Sequence, residues 1–379
     1  MNYGAVLQAV ALKRVLEQLF PNSQVEVVNH LMDSRDNHLL GKLTNPNTPW
    51  FQRWRNRRKY LRKFYAPDLF EARRAKTVRV IQGLLNPPPR IFKDPYELRE
   101  LPEYDVVVVG SDQIWNPQLN HDFSVNQYLC STFPAGQKRV SYAASFGLGE
   151  LPEVLKKEYA AAISRFDGIT VREESGAKIC ESLLGVRPPV VLDPTMLLNS
   201  GEWLSITGGV EAASEPYMAA YWVRSVAQAD VDALGRYARE KGMPCRLMSA
   251  GQLPKLRIPE NVHLSVDADP LDFVKTVAGA EGVITDSFHG LQFAVGFGKP
   301  VLALGELGNA KSNASRLTDF CRRYECGEAC QELVRFREGE IFCGTERFDL
   351  RKLESDRERS LQTLKSIVGH CARSTHLYG

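Results

Sequence analysis

The chain has 379 residues, of which 44% are hydrophobic and 25% charged, and its formal net charge is +3. This composition is that of an ordinary soluble protein and excludes a disordered or low-complexity chain. Its longest apolar runs fall far short of the roughly 20 residues that cross a bilayer, so we expect no membrane-spanning segment. The length favours two lobes.

The N-terminus lacks a basic region followed by an apolar run and a small-residue cleavage site, so we expect a cytoplasmic protein. The eight cysteines are scattered through a long chain, unlike a secreted disulfide scaffold. Four of them crowd one stretch, but their spacing contains no C-x2-C pair, which favours free thiols over a metal site. We therefore predict no metal at Cys321, Cys326, Cys330 and Cys343.

Basic residues crowd positions 51–79, where only Asp68 and Glu71 oppose them and Trp54 and Tyr60 are interleaved. One interpretation is a solvated helix whose long side chains lie over apolar surface. The other is attraction to the inner leaflet of a membrane, where the protein would be peripheral, or to a diphosphate-linked substrate. Nothing else in the chain supports nucleic-acid binding, so we predict none.

The predicted elements begin with a helix at 5–20, which places Asn2, Tyr3 and Gly4 at its N-terminus, and a strand at 24–31. A basic helical insertion follows from about 33 to 100. Strands that each end in a polar loop then alternate with helices, which indicates parallel βαβ units. These strand-and-loop segments lie at 104–110, 138–147 and 166–176, and 188–198 closes the lobe.

The second lobe repeats the pattern, with strands predicted at 216–223 and 243–250 and a helix at 230–242 that ends at Gly242. The clearest βαβ passage surrounds TDSFHG, which includes His289. We place an N-terminal Rossmann-like lobe at 1–205, a C-terminal one at 206–350, and a helical segment at 351–379 that packs back on the first. No G-x-G-x-x-G follows a strand, which disfavours hydride transfer.

Polar residues stand where predicted strands end or helices start, which is where open α/β sheets bind ligands. Lys311 and Arg316 add positive charge downstream. We predict as substrate-binding residues Asn2, Tyr3, Gly4, Ser111, Asp112, Gln113, Ser145, Asp286, Ser287, Lys311 and Arg316.

His289 and Arg172 are the predicted catalytic residues. His289 lies between a strand and a helix N-terminus, where backbone N–H groups favour an anion, and a histidine suits general acid work near neutral pH. Its structural alternative is a turn-capping histidine bonded to Asp286. Arg172 ends a strand of the other lobe and can grip a carboxylate or phosphate with two bonds, or else form a salt bridge to Glu173 or Glu174.

These residues predict one anionic small molecule held between the lobes, with a histidine to transfer a proton. They do not separate a nucleotide-sugar donor from another phosphorylated donor. In chain order, the motifs that add further information are NYGAVLQAVAL, DVVVVGSDQIWNP, SYAASFG, ITVREESG, VVLDPT and VITDSFHGLQFAVGFGKP.

In that order these motifs resemble the polysaccharide pyruvyl transferase family, from residue 1 to roughly 320. The resemblance implies two Rossmann-like lobes in a GT-B-like arrangement with the active site in the cleft. It also implies transfer of pyruvate from phosphoenolpyruvate, as co-substrate without a further cofactor, onto two sugar hydroxyls as a ketal. His289 would protonate the donor methylene and Arg172 would hold the donor carboxylate or phosphate.

One position departs from the family pattern. Better-known members carry an arginine two residues before the histidine, where this chain has Ser287. Donor binding must then depend on Lys311, Arg316 or Arg172. The expected acceptor is a lipid-diphosphate-linked or nucleotide-linked sugar. The alternatives are a GT-B-like glycosyltransferase that uses a nucleotide sugar, and a non-catalytic glycan-binding protein at the membrane surface.

Overall fold

A computed structural model describes residues 2–30, 67–92, 95–118, 127–134, 136–210, 213–251, 253–305, 314–340 and 348–375. These residues form two compact units. The six-stranded unit contains 2–4, 67–86 and the described residues from 200 to 348, and the three-stranded unit contains 5–30, the described residues from 87 to 199, and 349–375. The part of the insertion at 67–86, predicted in the N-terminal lobe, thus belongs with the C-terminal half of the chain.

Strands and helices alternate along most of the described chain. The strands are β1 (Val107–Val109), β2 (Arg139–Ala144), β3 (Gly168–Val171), β4 (Met218–Trp222), β5 (Cys245–Ser249), β6 (Val262–Leu264), β7 (Gly282–Thr285), β8 (Val301–Gly305) and β9 (Cys330–Glu332). The helices are α1 (Tyr3–Leu19), α2 (Pro67–Leu85), α3 (Glu153–Ile163), α4 (Glu174–Leu184), α5 (Ser200–Thr207), α6 (Gln228–Lys241), α7 (Pro270–Gly279), α8 (Phe288–Gly296), α9 (Ala314–Arg323), α10 (Leu333–Glu338) and α11 (Leu350–Thr375).

Both sheets are parallel, which confirms the predicted α/β fold with Rossmann-like units. The three-stranded sheet has the order β1-β2-β3, and every residue of β2 is buried. A strand buried on both faces is typical of a parallel sheet that is covered by helices on both sides.

The six-stranded sheet has the order β6-β5-β4-β7-β8-β9. Counted from its own first strand this is 3-2-1-4-5-6, the order of doubly wound dinucleotide-binding sheets. The direction of winding reverses between β4 and β7, which pair directly through Tyr221 and Thr285. A crevice at the carboxyl ends of these two strands is where such sheets bind ligands.

Several predicted elements are confirmed and one is wrong. Helix α6 ends at Gly242, whose φ of 64° is the left-handed conformation that glycine adopts most readily. The predicted strand at 24–31 is absent from its described part, 24–30, where His30 makes a single bridge to Phe92. Among the described residues, no helix is long and apolar enough to span a bilayer.

Candidate active site

The TDSFHG motif builds the junction between β7 and α8. Ser287 caps α8, because its side chain accepts a hydrogen bond from Gly290 N at 3.2 Å. Thr285 Oγ1 donates to Tyr221 O at 2.7 Å and accepts from Ser287 N at 3.0 Å. A Cβ on Gly290 would lie 2.3 Å from Thr285 Oγ1, so this helix start requires glycine there.

His289 is the second residue of α8 and only 3% exposed. Its ring lies against the backbone at the start of α1, where a Cβ on Gly4 would stand 2.1 Å from Nδ1. Asn2 Oδ1 accepts from Gly4 N at 3.1 Å and lies 3.5 Å from the hydroxyl of Tyr221. The structure therefore places the predicted site residue Gly4 against His289, and the predicted site residue Asn2 is bonded to Gly4.

Tyr3 supports this junction from inside the six-stranded unit. Its ring is fully buried and stacks on Tyr221 at 5.4 Å between ring centres. Its hydroxyl donates to Ala268 O at 2.6 Å, and burial raises the pKa of Tyr3 to about 12. Both the ring and the hydroxyl are thus engaged within the protein.

Asp286 joins the ends of β4 and β7 at the point where the sheet reverses its winding. Its carboxylate accepts from Val223 N at 2.7 Å and Arg224 N at 3.2 Å, and it pairs with Arg224 Nε at 3.1 Å. Burial raises the pKa of Asp286 to about 6, although these N–H groups and Arg224 oppose the shift.

Arg224, which sequence reasoning missed, ties this aspartate to a second buried carboxylate. It binds Asp230 with two bonds, at 2.9 and 2.8 Å, and Arg337 Nε reaches the same carboxylate at 2.8 Å. Burial alone would raise the pKa of Asp230, but bonds from Arg224 and Arg337 lower it overall. Arg224 directly follows the strand predicted at 216–223, so the strand-end criterion could have found it.

Arg73 is the other missed residue, and it comes from the basic segment. Its guanidinium donates to Ser249 O at 2.5 Å and Ala250 O at 3.2 Å, at the carboxyl end of β5. It lies 3.9 Å from the ring centre of Phe70 and 5.8 Å from that of Tyr3. No pattern in the sequence distinguishes Arg73 from its basic neighbours, because its role depends on a distant strand.

Of the two cations predicted downstream, Lys311 lies outside the described residues, and Arg316 is in the first turn of α9. The guanidinium of Arg316 lies 5.8 Å from the ring centre of Phe288, the residue before His289. Phe288 also meets Phe320 of α9 edge to face, at 5.7 Å between ring centres. Aromatic packing therefore holds α9 against the start of α8.

In the three-stranded unit, Arg172 follows β3, and its side chain is 2% exposed. It lies 3.0 Å from Asp193, 3.3 Å from Glu173 and 3.8 Å from Asp112. Burial alone would lower the pKa of Arg172, but these three carboxylates raise it overall. The salt bridge to Glu173 considered from the sequence is present, and Arg172 is surrounded by more negative than positive charge.

The other predicted residues of this unit lie around the same strand ends. Ser111 Oγ lies 2.9 Å from Asp193 Oδ2, and the hydroxyl of Ser145 bonds to Glu173. Asp112 has a φ of 72°, an uncommon conformation of the kind that clusters at functional sites. The side chain of Gln113 covers Gly147, where a Cβ would lie 2.1 Å from Gln113 Oε1. GSDQIWNP and SYAASFG are therefore parts of one polar cluster.

Comparison with known proteins decides the family. The model of the family described as polysaccharide pyruvyl transferase matches residues 2–307. The chain belongs to the polysaccharide pyruvyl transferase family. The residues described around His289 and around Arg172 in this pyruvyl transferase family member lie within the matched range, apart from Arg316 and Arg337, which follow it. The family is one of transferases that act in polysaccharide biosynthesis.

Solved structures similar to this family member share little sequence with it. A putative UDP-N-acetylglucosamine 2-epimerase from Listeria monocytogenes is 13% identical, with a TM-score of 0.47, over 100% of this chain and 94% of that one. UDP-GlcNAc 2-epimerase from Neisseria meningitidis bound to UDP-GlcNAc is 12% identical, with a TM-score of 0.45, over 96% and 97%. An E. coli heptosyltransferase with ADP is 12% identical, with a TM-score of 0.35, over 82% and 87%. No curated protein matches the chain.

Proposed function

We propose that this protein transfers pyruvate from phosphoenolpyruvate to two hydroxyls of one sugar, forming a cyclic ketal and releasing phosphate. One observation carries the proposal. His289 lies buried at the N-terminus of α8, beside the reversal point of a doubly wound sheet, in a chain that belongs to the polysaccharide pyruvyl transferase family.

The reaction begins at the double bond of the enol phosphate of phosphoenolpyruvate. His289 gives a proton to the methylene carbon, which becomes a methyl group, and the neighbouring carbon becomes an oxocarbenium-like centre. A sugar hydroxyl attacks that carbon, forms a C–O bond and loses its proton. This proton returns the histidine to its charged form, so the first half of the reaction regenerates the acid.

The second half replaces phosphate with the other sugar hydroxyl. The bond from carbon to the phosphate oxygen breaks, the second hydroxyl attacks the same carbon, and its proton leaves with phosphate. One proton has entered the methyl group and one has gone to phosphate, which accounts for both hydroxyl hydrogens. No electrons are exchanged with another reactant.

We assign the anionic groups of the donor to Arg316 and to the helix N-termini beside His289. Arg316 contacts Phe288, and backbone N–H groups at a helix start favour anions. Arg172 is already paired with three carboxylates, so its charge is compensated within the protein. Ser287, where better-known members have arginine, serves as the cap of α8 and cannot hold the donor by charge.

For the acceptor we propose a sugar carried on a diphosphate, linked to a lipid or a nucleotide, with the enzyme acting at the inner face of the membrane. Helix α2 supports this choice, because Arg74 and Arg79 are exposed on it while Arg73 is turned inward. The remaining basic residues of 51–66 lie outside the described residues.

The test incubates the purified protein with phosphoenolpyruvate and a panel of nucleotide-linked and lipid-diphosphate-linked sugars, and measures phosphate release together with the mass of the product. We expect the mass gain of a pyruvate ketal. His289→Ala should reduce the rate by about 10²–10⁴-fold, the usual contribution of a general acid. His263→Ala, at an exposed position of β6, is the matched control and should keep the wild-type rate.

Full activity of His289→Ala would show that the proposed mechanism is wrong. A glycosyltransferase would behave differently in a ligand-binding test. A uridine or guanosine diphosphate would then raise the melting temperature and phosphoenolpyruvate would not, because a ligand that binds only the folded state stabilises it by mass action.

A further inference from the structure

Three thiols gather at one edge of the six-stranded sheet, and the first two meet through the way α9 ends. The chain turns at Glu325, whose φ is 57°, and Cys326 N donates to Cys321 O at 2.8 Å. This is the helix-ending motif in which the second residue past the cap returns over the last turn. This bond returns Cys326 to the last turn of α9, which carries Cys321.

The third thiol comes from the edge strand. Cys330 begins β9, pairs with Ala303 of β8 and accepts a hydrogen bond from the thiol of Cys321, which lies one helical turn after Thr318 on α9. The hydroxyl of Thr318 lies 3.5 Å from Cys330 Sγ. Cys321 and Cys326 are fully buried, whereas Cys330 is partly exposed. A small reagent from solvent therefore reaches Cys330 first.

The hydrogen bonds also make these thiols unlike the other cysteines of the chain. Donation from Cys321 holds the pKa of Cys330 below its usual range, although burial opposes the shift, and Thr318 contributes in the same direction as Cys321. Burial instead raises the pKa of Cys130, Cys180 and Cys245 to about 12. Because the thiolate is the reactive form, Cys330 is the thiol of this cluster most open to oxidation.

We propose that Cys330 is a redox modification site, at which a peroxide oxidises the thiolate and Cys321 then closes a reversible disulfide. In the first step the Cys330 sulfur attacks one peroxide oxygen, the O–O bond breaks, and sulfenic acid and hydroxide form. In the second step the Cys321 sulfur attacks the Cys330 sulfur, and water leaves with the Cys321 proton. A dithiol returns both cysteines to the reduced state by thiol–disulfide exchange.

A metal site is the competing use of clustered thiols. Within the described ranges, no group of three or more histidine, cysteine, aspartate or glutamate side chains is arranged to hold a metal ion. Cys343, the fourth cysteine of this stretch, lies outside them. The described residues thus favour a disulfide between two thiols over a metal site. This inference does not depend on the reaction that the protein catalyses.

The experiment treats the full-length protein with hydrogen peroxide, blocks the remaining thiols with iodoacetamide and maps the peptides by mass. Trypsin separates residues 317–322, which contain Cys321, from 324–335, which contain Cys326 and Cys330. We expect these two peptides to be joined, with the loss of two hydrogen atoms, and to separate after reduction. A second cut after Glu328 distinguishes Cys330 from Cys326 as the partner.

Two cysteine variants determine which thiol forms the disulfide with Cys321. Cys326→Ser should keep the cross-link and Cys330→Ser should lose it, while Cys130, Cys180 and Cys245 stay available for alkylation after unfolding in every sample. Complete alkylation of Cys321 and Cys330 after peroxide treatment would overturn the proposal. A cross-link that persists in Cys330→Ser, or bound zinc that protects the thiols of the untreated protein, would overturn it as well.

Discussion

The α-carbon of Gly4 lies against the imidazole ring of His289, so closely that a methyl group there would stand 2.1 Å from Nδ1 and 2.2 Å from Cγ. The first turn of α1 therefore lies against one side of the His289 ring. Asn2 fixes that turn through its bond to Gly4 N. The NYG motif and the TDSFHG motif are thus in direct contact, through Gly4 and His289.

We predict that Gly4→Ala displaces the imidazole ring and lowers kcat by about 10²-fold, the usual effect of moving a catalytic group by about 1 Å. KM should change much less. Steady-state kinetics checks this, and Gly83→Ala is the control, because a Cβ at that position of α2 meets nothing within 4 Å. Gly83→Ala should keep kcat and add about 0.5–1 kcal/mol to the unfolding free energy. A wild-type kcat in Gly4→Ala would contradict the role assigned to this contact.

A second prediction concerns Asp286 and pH. Its pKa is raised from 3.8 to about 6 in the folded protein, so between these values the folded state binds more protons than the unfolded state. Stability should fall as pH rises through that window, by up to about 3 kcal/mol at roughly 1.36 kcal/mol per pKa unit.

Asp286→Asn removes this titration. Chemical denaturation at pH 4.5 and pH 7 should show wild type losing unfolding free energy relative to Asp286→Asn as the pH rises. A difference between the two proteins that does not vary with pH would contradict the raised pKa.

Arg172 is predicted to be essential for stability. Arg172→Met leaves Asp193, Glu173 and Asp112 without their shared cation, and breaking a buried pair in this way costs about 3–5 kcal/mol. The matched control is Arg187→Met, because Arg187 pairs with Glu174 and Glu181 on the surface and such exposed pairs contribute little to stability. Denaturant unfolding measures both values, and equal values for the two variants would contradict this account.

Arg73 and Arg74 are adjacent and should behave differently. Arg73→Met loses two bonds to backbone carbonyls at the end of β5 and should cost about 2–3 kcal/mol of unfolding free energy. Arg74→Met, at an exposed position, should stay within about 0.5 kcal/mol of wild type. Thermal and denaturant unfolding of both variants test this, and the reverse order would show that α2 binds the sheet by other contacts.

The sequence predicted those parts of the fold whose signal is local. The strands β4, β7 and β8 are largely apolar and agree with the predicted strands, as β5 does despite its arginine, and Gly242 marks the end of α6 as predicted. The edge strands β6 and β9 have three residues each, too few for a periodic pattern. The strand at 24–31 was predicted from its apolar residues, but its described part makes only one bridge, to Phe92.

The candidate site likewise has parts that local sequence signals predict and parts that they do not. His289, Asp286 and Gly4 can be selected as candidates because polar residues and glycine at strand ends and helix starts are visible in the sequence, and their functional roles stay predictions. The contacts of Arg73 and the pairing of Asp230 with two arginines could not be predicted, because each joins residues far apart in the chain. Donor binding by Arg316 stays a prediction, whereas the three carboxylates around Arg172 favour a structural role for that residue.

The contacts of α2 have a consequence for protein engineering. The basic stretch includes exposed residues such as Arg74 and Arg79, which makes it an obvious choice for removal in a minimal version of the protein. Removal would instead take Arg73 away from the Tyr3 ring and from the carbonyls of Ser249 and Ala250. Shortened versions of this protein should therefore be cut elsewhere, and grafts between relatives should transfer α2 together with β5.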